Sequence, residues 1–183
     1  KQFSNSGKFD KDSLEIWDIQ LIEHGNAIYE KRKTFIEKFV PIFRHYYQLI
    51  TEDKEQVDIV YQSHLNEYSF SEKLHKALER DRILEHTTVG IHKDDLDFLI
   101  NGYNLKKYAS QGQQKSFLIA LKLAQFDFIK SIKSITPILL LDDIYDRLDD
   151  SRIKQLMQLV CSNHFGQIFI TDTHPTRLQN LFN

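Results

Sequence analysis

Hydrophobic positions in the first fifty residues recur at helical spacing. From about Lys11 to Ile50 the sequence is polar, with apolar residues about one or two helical turns apart. These apolar residues are Ile28, Phe35, Ile36, Phe39, Phe43 and Tyr47. Pro41 lies among them and predicts a kink or a break, because proline lacks the backbone donor of a helix interior and its ring clashes with the preceding turn.

The rest of the first half contains a second helical pattern and one alternating segment. Apolar residues recur at helical spacing from Ser69 to Glu85, which predicts a helix. Val57, Ile59 and Tyr61 alternate with polar residues, which is typical of a short strand. Residues 1–86 are therefore predicted to form a mainly helical lobe.

Two short strands open the second half of the chain. They are predicted at Thr87 to Ile91 and Leu96 to Ile100. The second one runs into Asn101-Gly102, a dipeptide that favours a tight hairpin turn. Irregular sequence then leads into an amphipathic helix whose apolar face comprises Phe117, Ala120, Leu121, Ala124 and Phe128.

The remaining elements alternate between strand and helix. Ile138 to Leu141 is an apolar strand, a helix is predicted from about Ser151 to Cys161, and the last strand is Gln167 to Thr171. Apolar strands alternating with helices indicate an α/β fold with a mostly parallel sheet that is covered on both faces. Residues 87–183 are predicted to form this second region.

Composition limits the class of protein. The chain has 183 residues, 41% of them hydrophobic, a net charge of −2 and one cysteine, Cys161. No apolar run approaches the ~20 residues that span a bilayer, and no signal peptide opens the sequence. We therefore expect a cytoplasmic protein without a membrane partner. Because the chain begins at Lys1 without a clear start, we also expect a piece of a longer protein.

The first candidate for chemistry lies just before the amphipathic helix. Ser110, Gln111, Gly112 and Gln113 combine a hydroxyl, a flexible backbone and exposed amides at a helix amino terminus, where anions bind readily. Lys115 adds a positive charge in the first turn. The alternative is purely structural, with Ser110 capping the helix and Gly112 turning the chain.

The second candidate follows the apolar strand at Ile138 to Leu141. Ligands of α/β proteins gather at the carboxyl ends of strands, and this strand ends on Asp142 and Asp143. One carboxylate can hold Mg²⁺ and the other can orient an attacking water. Two further candidates are Asp149, which follows the paired aspartates, and His174, which follows the last strand. Helix capping by Asp143 or Asp149, and a surface position for His174, are the alternatives.

Taken in order, these segments resemble the ABC ATPase family. Ala109 to Gln113 is similar to its signature motif, and Ile138 to Asp143 to its Walker B strand. Leu148-Asp149 is similar to the D-loop and His174 to the switch histidine. The resemblance implies that the chain is the carboxyl-terminal part of an ABC-type ATPase head with a helical lobe.

The resemblance is strongest to the RecF branch of that family, which consists of bacterial recombination-mediator ATPases. Gly90 to Asp95 and Ser110 to Lys115 carry this likeness. It covers residues 87–183 and is weaker over residues 1–86. It implies binding to gapped DNA in replication and repair, ATP-dependent dimerisation, and RecO-type and RecR-type partners that load the recombinase.

The resemblance also implies a role for each candidate residue. ATP is sandwiched between two subunits of a head-to-head dimer. One subunit provides Asp142 for Mg²⁺ and Asp143 for water activation, and His174 contacts the terminal phosphate. The opposite subunit offers its signature residues to the nucleotide, with Asp149 reaching across. The signature residues are Ser110, Gln111, Gly112, Gln113 and Lys115.

Several positions depart from the family pattern. Gln111 stands where most transporters of the family have glycine, which suits the RecF branch, and Asp143 replaces the usual catalytic glutamate. Ile91 and Lys93 stand where proline and arginine are common in that branch. No Gly-x-x-x-x-Gly-Lys-Ser/Thr loop occurs in the sequence, so we expect that this chain alone does not hydrolyse ATP.

Two other interpretations remain open. The chain is compatible with the head of a chromosome-organising ATPase, although its apolar stripe does not continue over the three or four heptads of a coiled-coil arm. It is also compatible with a non-catalytic interaction module beside a sheet that binds no ATP. A metal nuclease using Asp142 and Asp143 leaves the Ser110 loop unexplained.

Overall fold

The computed structural model describes residues 11–144, 146–162 and 164–172. Helix α1, Lys11–Thr51, is continuous through Pro41, so a break there is wrong and a kink stays a prediction. Pro41 itself is exposed, while Phe39, Val40 and Phe43 beside it are buried. Burial of the apolar face on both sides of the proline outweighs the local cost of the missing hydrogen bond.

The chain divides into two compact units, and α1 contributes to both. The first unit contains the described residues up to Ile36 together with Val60–Asp97. The second contains Glu37–Ile59 and the described residues from Phe98 onward. The division at residue 86 into a helical lobe and an ATPase part stays a prediction.

The first unit is built around a small apolar core. Helix α2, Phe70–Leu84, begins with a capping box in which Ser69 and Glu72 each bond the other's backbone N–H. A 3₁₀ turn, His64–Asn66, precedes it. The core consists of Leu65, Phe70 and Leu74, with Ile22, Tyr29 and Val89 packed against it.

The segment after α2 differs from its sequence prediction. Thr87 to Ile91 was expected as a strand, and this is wrong: the segment is irregular and leads into a 3₁₀ turn, Ile91–Lys93. The carboxylate of Asp81 accepts hydrogen bonds from both the backbone N–H (2.9 Å) and the hydroxyl of Thr88. A side chain thus satisfies a backbone donor that a strand would have given to a neighbouring strand.

Three strands form one sheet. Their order is β1 (Val57–Gln62), β2 (Asp95–Ile100) and β3 (Tyr103–Asn104). Strands β2 and β3 pair antiparallel and form the predicted hairpin, with φ values of 48° and 81° at Asn101 and Gly102. Both central residues of a type I′ turn need positive φ, which explains the Asn-Gly pair.

The second unit contains the remaining elements. They are α3 (Leu105–Tyr108), α4 (Gln111–Lys133), β4 (Leu139–Leu141), α5 (Asp150–Val160) and β5 (Ile168–Ile170). Strands β4 and β5 pair in parallel, with Leu140 opposite Phe169, and α5 connects them. The α/β class is confirmed. Among the described strands, parallel pairing is seen for β4 and β5, while β2 and β3 pair antiparallel.

Aromatic side chains fill the core of the second unit. Phe117 of α4 is 2% exposed, and its ring lies 4.6 Å from that of Phe43 and 6.1 Å from that of Tyr47. Phe165 is fully buried, with its ring centre 5.0 Å from that of Phe126. Within the described part of the chain, no helix has the length and apolar character needed to cross a membrane.

Candidate functional site

The residues before and in the first turn of α4 form a capping box. The hydroxyl oxygen of Ser110 accepts a hydrogen bond from the Gln113 backbone N–H at 3.2 Å. The side-chain oxygen of Gln113 accepts one from the Ser110 backbone N–H at 2.7 Å. This arrangement begins the helix and fixes both side chains at its positive end. Gln111 is exposed in the same turn.

Gly112 lies where the first turn of α4 meets the loop after β4. A Cβ atom at this position would lie 2.9 Å from the backbone oxygen of Arg147. Because that atom belongs to the backbone, it moves less readily than the tip of a flexible side chain. Glycine therefore allows α4 to lie directly against the loop that carries the aspartates.

The two aspartates after β4 share one partner, Thr171, which directly follows the neighbouring strand β5. The hydroxyl of Thr171 donates to the carboxylate of Asp142, and the backbone N–H of Asp143 donates to the same hydroxyl oxygen at 3.2 Å. Asp143 has a φ of 50°, in the left-handed region. Thr171 thus fixes the turn in which the chain leaves the edge of the sheet.

Lys115 connects the two candidate segments. Its ammonium group donates to the backbone oxygen of Asp143 at 3.0 Å. The lysine lies in the first turn of α4, whereas Asp143 follows β4, 28 residues later. The structure therefore brings the Ser110 turn and the paired aspartates together at one edge of the second unit.

Asp149 caps the last described helix. Its carboxylate accepts a hydrogen bond from the Arg152 backbone N–H at 2.9 Å and lies 3.4 Å from the Arg152 guanidinium. The capping role that the sequence allows for Asp149 is present, as it is for Ser110. His174 lies outside the described residues.

Glu55, which the sequence analysis did not identify, lies behind this site. Its carboxylate accepts hydrogen bonds from the Tyr47 hydroxyl (2.5 Å), the Gln113 side-chain amide (3.0 Å) and the Arg152 guanidinium (2.9 Å). Burial opposes its charge, but these hydrogen bonds and the arginine together lower the pKa of Glu55 below its usual value. Burial and the same carboxylate raise the pKa of Tyr47, so the tyrosine stays neutral.

The donor set suits a cation held mainly by other ligands. Among the described residues, no group of three or more His, Cys, Asp or Glu side chains is placed to hold a metal ion. Asp142 is exposed and contributes carboxylate oxygen, which Mg²⁺ prefers. Mg²⁺ commonly keeps several waters and is held by one or two carboxylates together with nucleotide phosphates, so these residues fit that mode.

Curated relatives of the chain are proteins named DNA replication and repair protein RecF. No protein-family profile matches the chain. The chain is similar to DNA replication and repair protein RecF of Flavobacterium johnsoniae, with 51% identity over 98% of the chain and 50% of that protein. The RecF proteins of Bacteroides thetaiotaomicron and Cytophaga hutchinsonii are 47% and 41% identical, over 91% and 100% of the chain. The chain spans about half the length of these relatives.

Solved structures agree with this result. A structure described as the recombination mediator protein RecF-ATPrS in the RecFOR pathway matches 95% of the chain and 48% of its own length, with 29% identity and a TM-score of 0.75. A RecF-ATP structure gives a TM-score of 0.74. The Smc head domain from Pyrococcus yayanosii, at 17% identity and a TM-score of 0.53, shares the fold alone.

Proposed function

Because the chain belongs to the RecF proteins over the half of their length that it matches, we propose that it supplies the signature turn and the Walker B aspartates of an ATP-dependent dimer. The division into a helical lobe, residues 1–86, and the carboxyl-terminal part of an ATPase head, residues 87–183, is part of this proposal. The phosphate-binding loop lies in the part of the full-length protein outside this chain.

The main support for the proposal is the contact between the first turn of α4 and the loop after β4, which contains Asp142 and Asp143. Lys115 bonds the backbone of Asp143, and Gly112 lies against the backbone of Arg147. In the proposal, the signature turn contacts the nucleotide held by the opposite subunit, whereas the aspartates act on the nucleotide held by their own subunit. The position of the turn must therefore depend on the position of the aspartates. Direct bonding of these segments supports such a dependence.

The hydrogen-bonding capacity of the turn supports contact with a phosphate. The Ser110 oxygen accepts from a backbone N–H, which leaves the hydroxyl hydrogen able to donate. The Gln113 amide has two hydrogens, and one of them donates to Glu55. Serine, glutamine and the positive end of α4 can thus face the γ-phosphate of the nucleotide held by the opposite subunit.

In this proposal Asp142 and Asp143 act on the nucleotide that is bound by their own subunit. Asp142 holds Mg²⁺ together with the phosphates, and Mg²⁺, when bound, neutralises charge on them. Asp143 orients the attacking water, and His174 contacts the terminal phosphate. The positive end of α4, with Gln111 and Lys115, reaches the nucleotide of the opposite subunit, and Asp149 contacts the same site. ATP closes the dimer because only the closed state completes its contacts.

The names of the relatives give the biological setting of the proposal. They are DNA replication and repair proteins, and the matched structures belong to the RecFOR pathway. We assign the full-length protein to the cytoplasm, to gapped DNA, and to RecO-type and RecR-type partners that load the recombinase. The Smc likeness concerns the fold alone and supports no function for this chain. A chromosome-organising head is the alternative that the sequence left open.

The test compares the full-length protein with its Ser110→Arg variant. Dimerisation is measured by analytical ultracentrifugation with and without ATP, and ATP turnover is measured under the same conditions. We expect the bulky cation to abolish both while each monomer still binds ATP. Unchanged dimerisation and turnover would show that the signature turn is misassigned, and an interaction module would then replace the ATPase.

A further inference from the structure

The side chain of Glu55 joins segments that are far apart in the sequence. Glu55 follows α1, and its side chain is 13% exposed. It bonds Gln113, 58 residues away, and Arg152, 97 residues away. The hydroxyl of Tyr47, which is fully buried, is its third partner. Three donors on one carboxylate restrict its position more tightly than a single surface ion pair does.

Arg152 extends this network to the loop that contains Asp149. Besides Glu55, its guanidinium donates to the hydroxyl of Ser116 at 3.0 Å and lies 3.4 Å from the carboxylate of Asp149. Its side chain is 17% exposed. One carboxylate therefore connects Gln113 of the signature turn to Asp149 of the next loop through a single arginine.

We propose that Glu55 is a positioning residue, which fixes the Gln113 amide and, through Arg152, the Asp149 loop in the geometry that engages the opposite subunit's nucleotide. This inference rests on the proposed function. Both ends of the Gln113 amide are engaged, since its oxygen accepts from Ser110 and its nitrogen donates to Glu55. The second N–H of the Gln113 amide is therefore held in one orientation. Without the Glu55 carboxylate, the amide and the guanidinium each lose an acceptor and can reorient.

The experiment uses the full-length protein with Glu55→Gln, a substitution that keeps the shape but removes the charge opposite Arg152. Monomer affinity for ATP, ATP-dependent dimerisation, kcat and KM are measured together. We expect kcat and the association constant of the ATP-dependent dimer each to fall about tenfold or more. KM and monomer affinity should stay within about twofold, because Glu55 makes no contact with the subunit's own nucleotide in the proposed arrangement.

A matched control is Asp58→Asn, which removes the ion pair between Arg44 and Asp58 (2.7 Å) in the same unit. Asp58 has no bond to the signature turn or to Arg152, and this variant should behave as the native protein. Glu55→Asp keeps the charge on a shorter side chain and should recover part of the lost kcat. It also serves as the second variant if Glu55→Gln does not fold.

The outcomes separate this inference from the proposed function. If Ser110→Arg abolishes dimerisation while Glu55→Gln matches Asp58→Asn, the positioning role is wrong and the proposed function stands. A parallel loss of kcat and monomer affinity in Glu55→Gln, with no recovery in Glu55→Asp, means general destabilisation and also overturns the inference. If Ser110→Arg has no effect, the proposed function itself fails.

Discussion

The two units differ in the size of their buried cores. The second unit contains the largest fully buried side chains, among them Phe43, Tyr47, Phe117 and Phe165. The core of the first unit is smaller and consists of Leu65, Phe70 and Leu74. Exposed apolar side chains occur in both units, for example Ile83 (81%) in the first and Leu140 (68%) in the second. A site that must hold donors to within a fraction of an ångström needs a rigid frame, and the second unit supplies it.

This contrast also separates the polar networks. In the second unit, Glu55 and Arg152 join the proposed nucleotide residues to the aromatic core through Tyr47. In the first unit, Arg32 and Tyr61 bond Asp94, whose side chain is 3% exposed. That network fixes the turn at Ile91–Lys93 and involves none of the candidate site residues. Its loss should therefore lower stability without changing nucleotide-dependent behaviour.

The largest expected effect is removal of an aromatic ring from the second core. Phe117→Ala should lower the free energy of unfolding by about 3–5 kcal/mol, because the ring is buried and its neighbours cannot fill the space. Urea denaturation measures the loss. Leu118→Ala, on the same helix but 52% exposed, should cost less than about 0.5 kcal/mol. Equal losses would contradict the assigned face of α4.

Gly112→Ala should have the next largest effect. Overpacking against the Arg147 backbone should cost about 2 kcal/mol and should also weaken ATP-dependent dimerisation, because α4 moves away from the aspartate loop. The comparison variant is Gly25→Ala in the first unit, where the new Cβ would lie 2.3 Å from the Phe70 ring. It should lower the melting temperature but leave the dimerisation constant unchanged. A similar loss of dimerisation in both variants would show that the two units do not act separately.

Much of the fold follows from local patterns, whereas the network around Glu55 does not. The capping pattern of Ser110 and Gln113, the apolar face of α4, the apolar strand before Asp142 and the Asn101-Gly102 turn are short-range features. Pairing of Glu55 with Arg152 depends on folding over 97 residues, which one sequence does not reveal. Its acidic type beside polar neighbours is typical of surface positions.

The two wrong predictions have the same origin. A local rule was overruled by a contact that forms only in the folded chain. Pro41 does not interrupt α1 because the residues on both sides of it are buried. Thr87 to Ile91 is not a strand because Asp81 satisfies the backbone of Thr88. Both contacts depend on tertiary structure that a local pattern does not contain.

In the first unit, Arg32→Gln should cost about 1–2 kcal/mol. The arginine donates to Asp94 at 2.9 Å and to the backbone of Ile91 at 2.7 Å, so its loss leaves a buried carboxylate with fewer donors. Thermal unfolding followed by circular dichroism measures this. Lys54→Gln, which breaks an ion pair with Glu52 between side chains that are 67% and 43% exposed, is the control and should be nearly neutral. A change in ATP-dependent dimerisation in Arg32→Gln would contradict the separation of the two networks.

The smallest expected effect is the pH dependence of the Glu55 network. The folded state lowers the pKa of Glu55 below its ordinary value of 4.5, so the unfolded chain takes up a proton at higher pH than the folded one. The stabilisation is therefore complete above the ordinary pKa and is lost as the pH falls through the folded-state pKa. Tyr47 stays neutral over this range, because burial and the Glu55 carboxylate raise its pKa.

Melting temperatures of the native protein and Glu55→Gln, compared between pH 7 and pH 3.5, measure this effect. The native protein should be more stable by about 1 kcal/mol at pH 7, because Glu55→Gln replaces one acceptor oxygen with an NH₂ donor and loses the charge opposite Arg152. The difference should shrink as the pH falls below the ordinary value of 4.5 and through the lower folded-state pKa of Glu55. A difference that grows on acidification would mean that Glu55 is neutral in the folded protein.

Complementation between two inactive full-length variants tests most directly whether the signature turn acts across the subunit interface. One carries Ser110→Arg, and the other carries a substitution of the phosphate-loop lysine outside this chain. In a mixed dimer, the Ser110→Arg subunit binds ATP and faces an intact signature turn from its partner. Mixing the two variants should restore ATP turnover. If the mixture stays as inactive as its components, the signature turn does not act across the subunit interface.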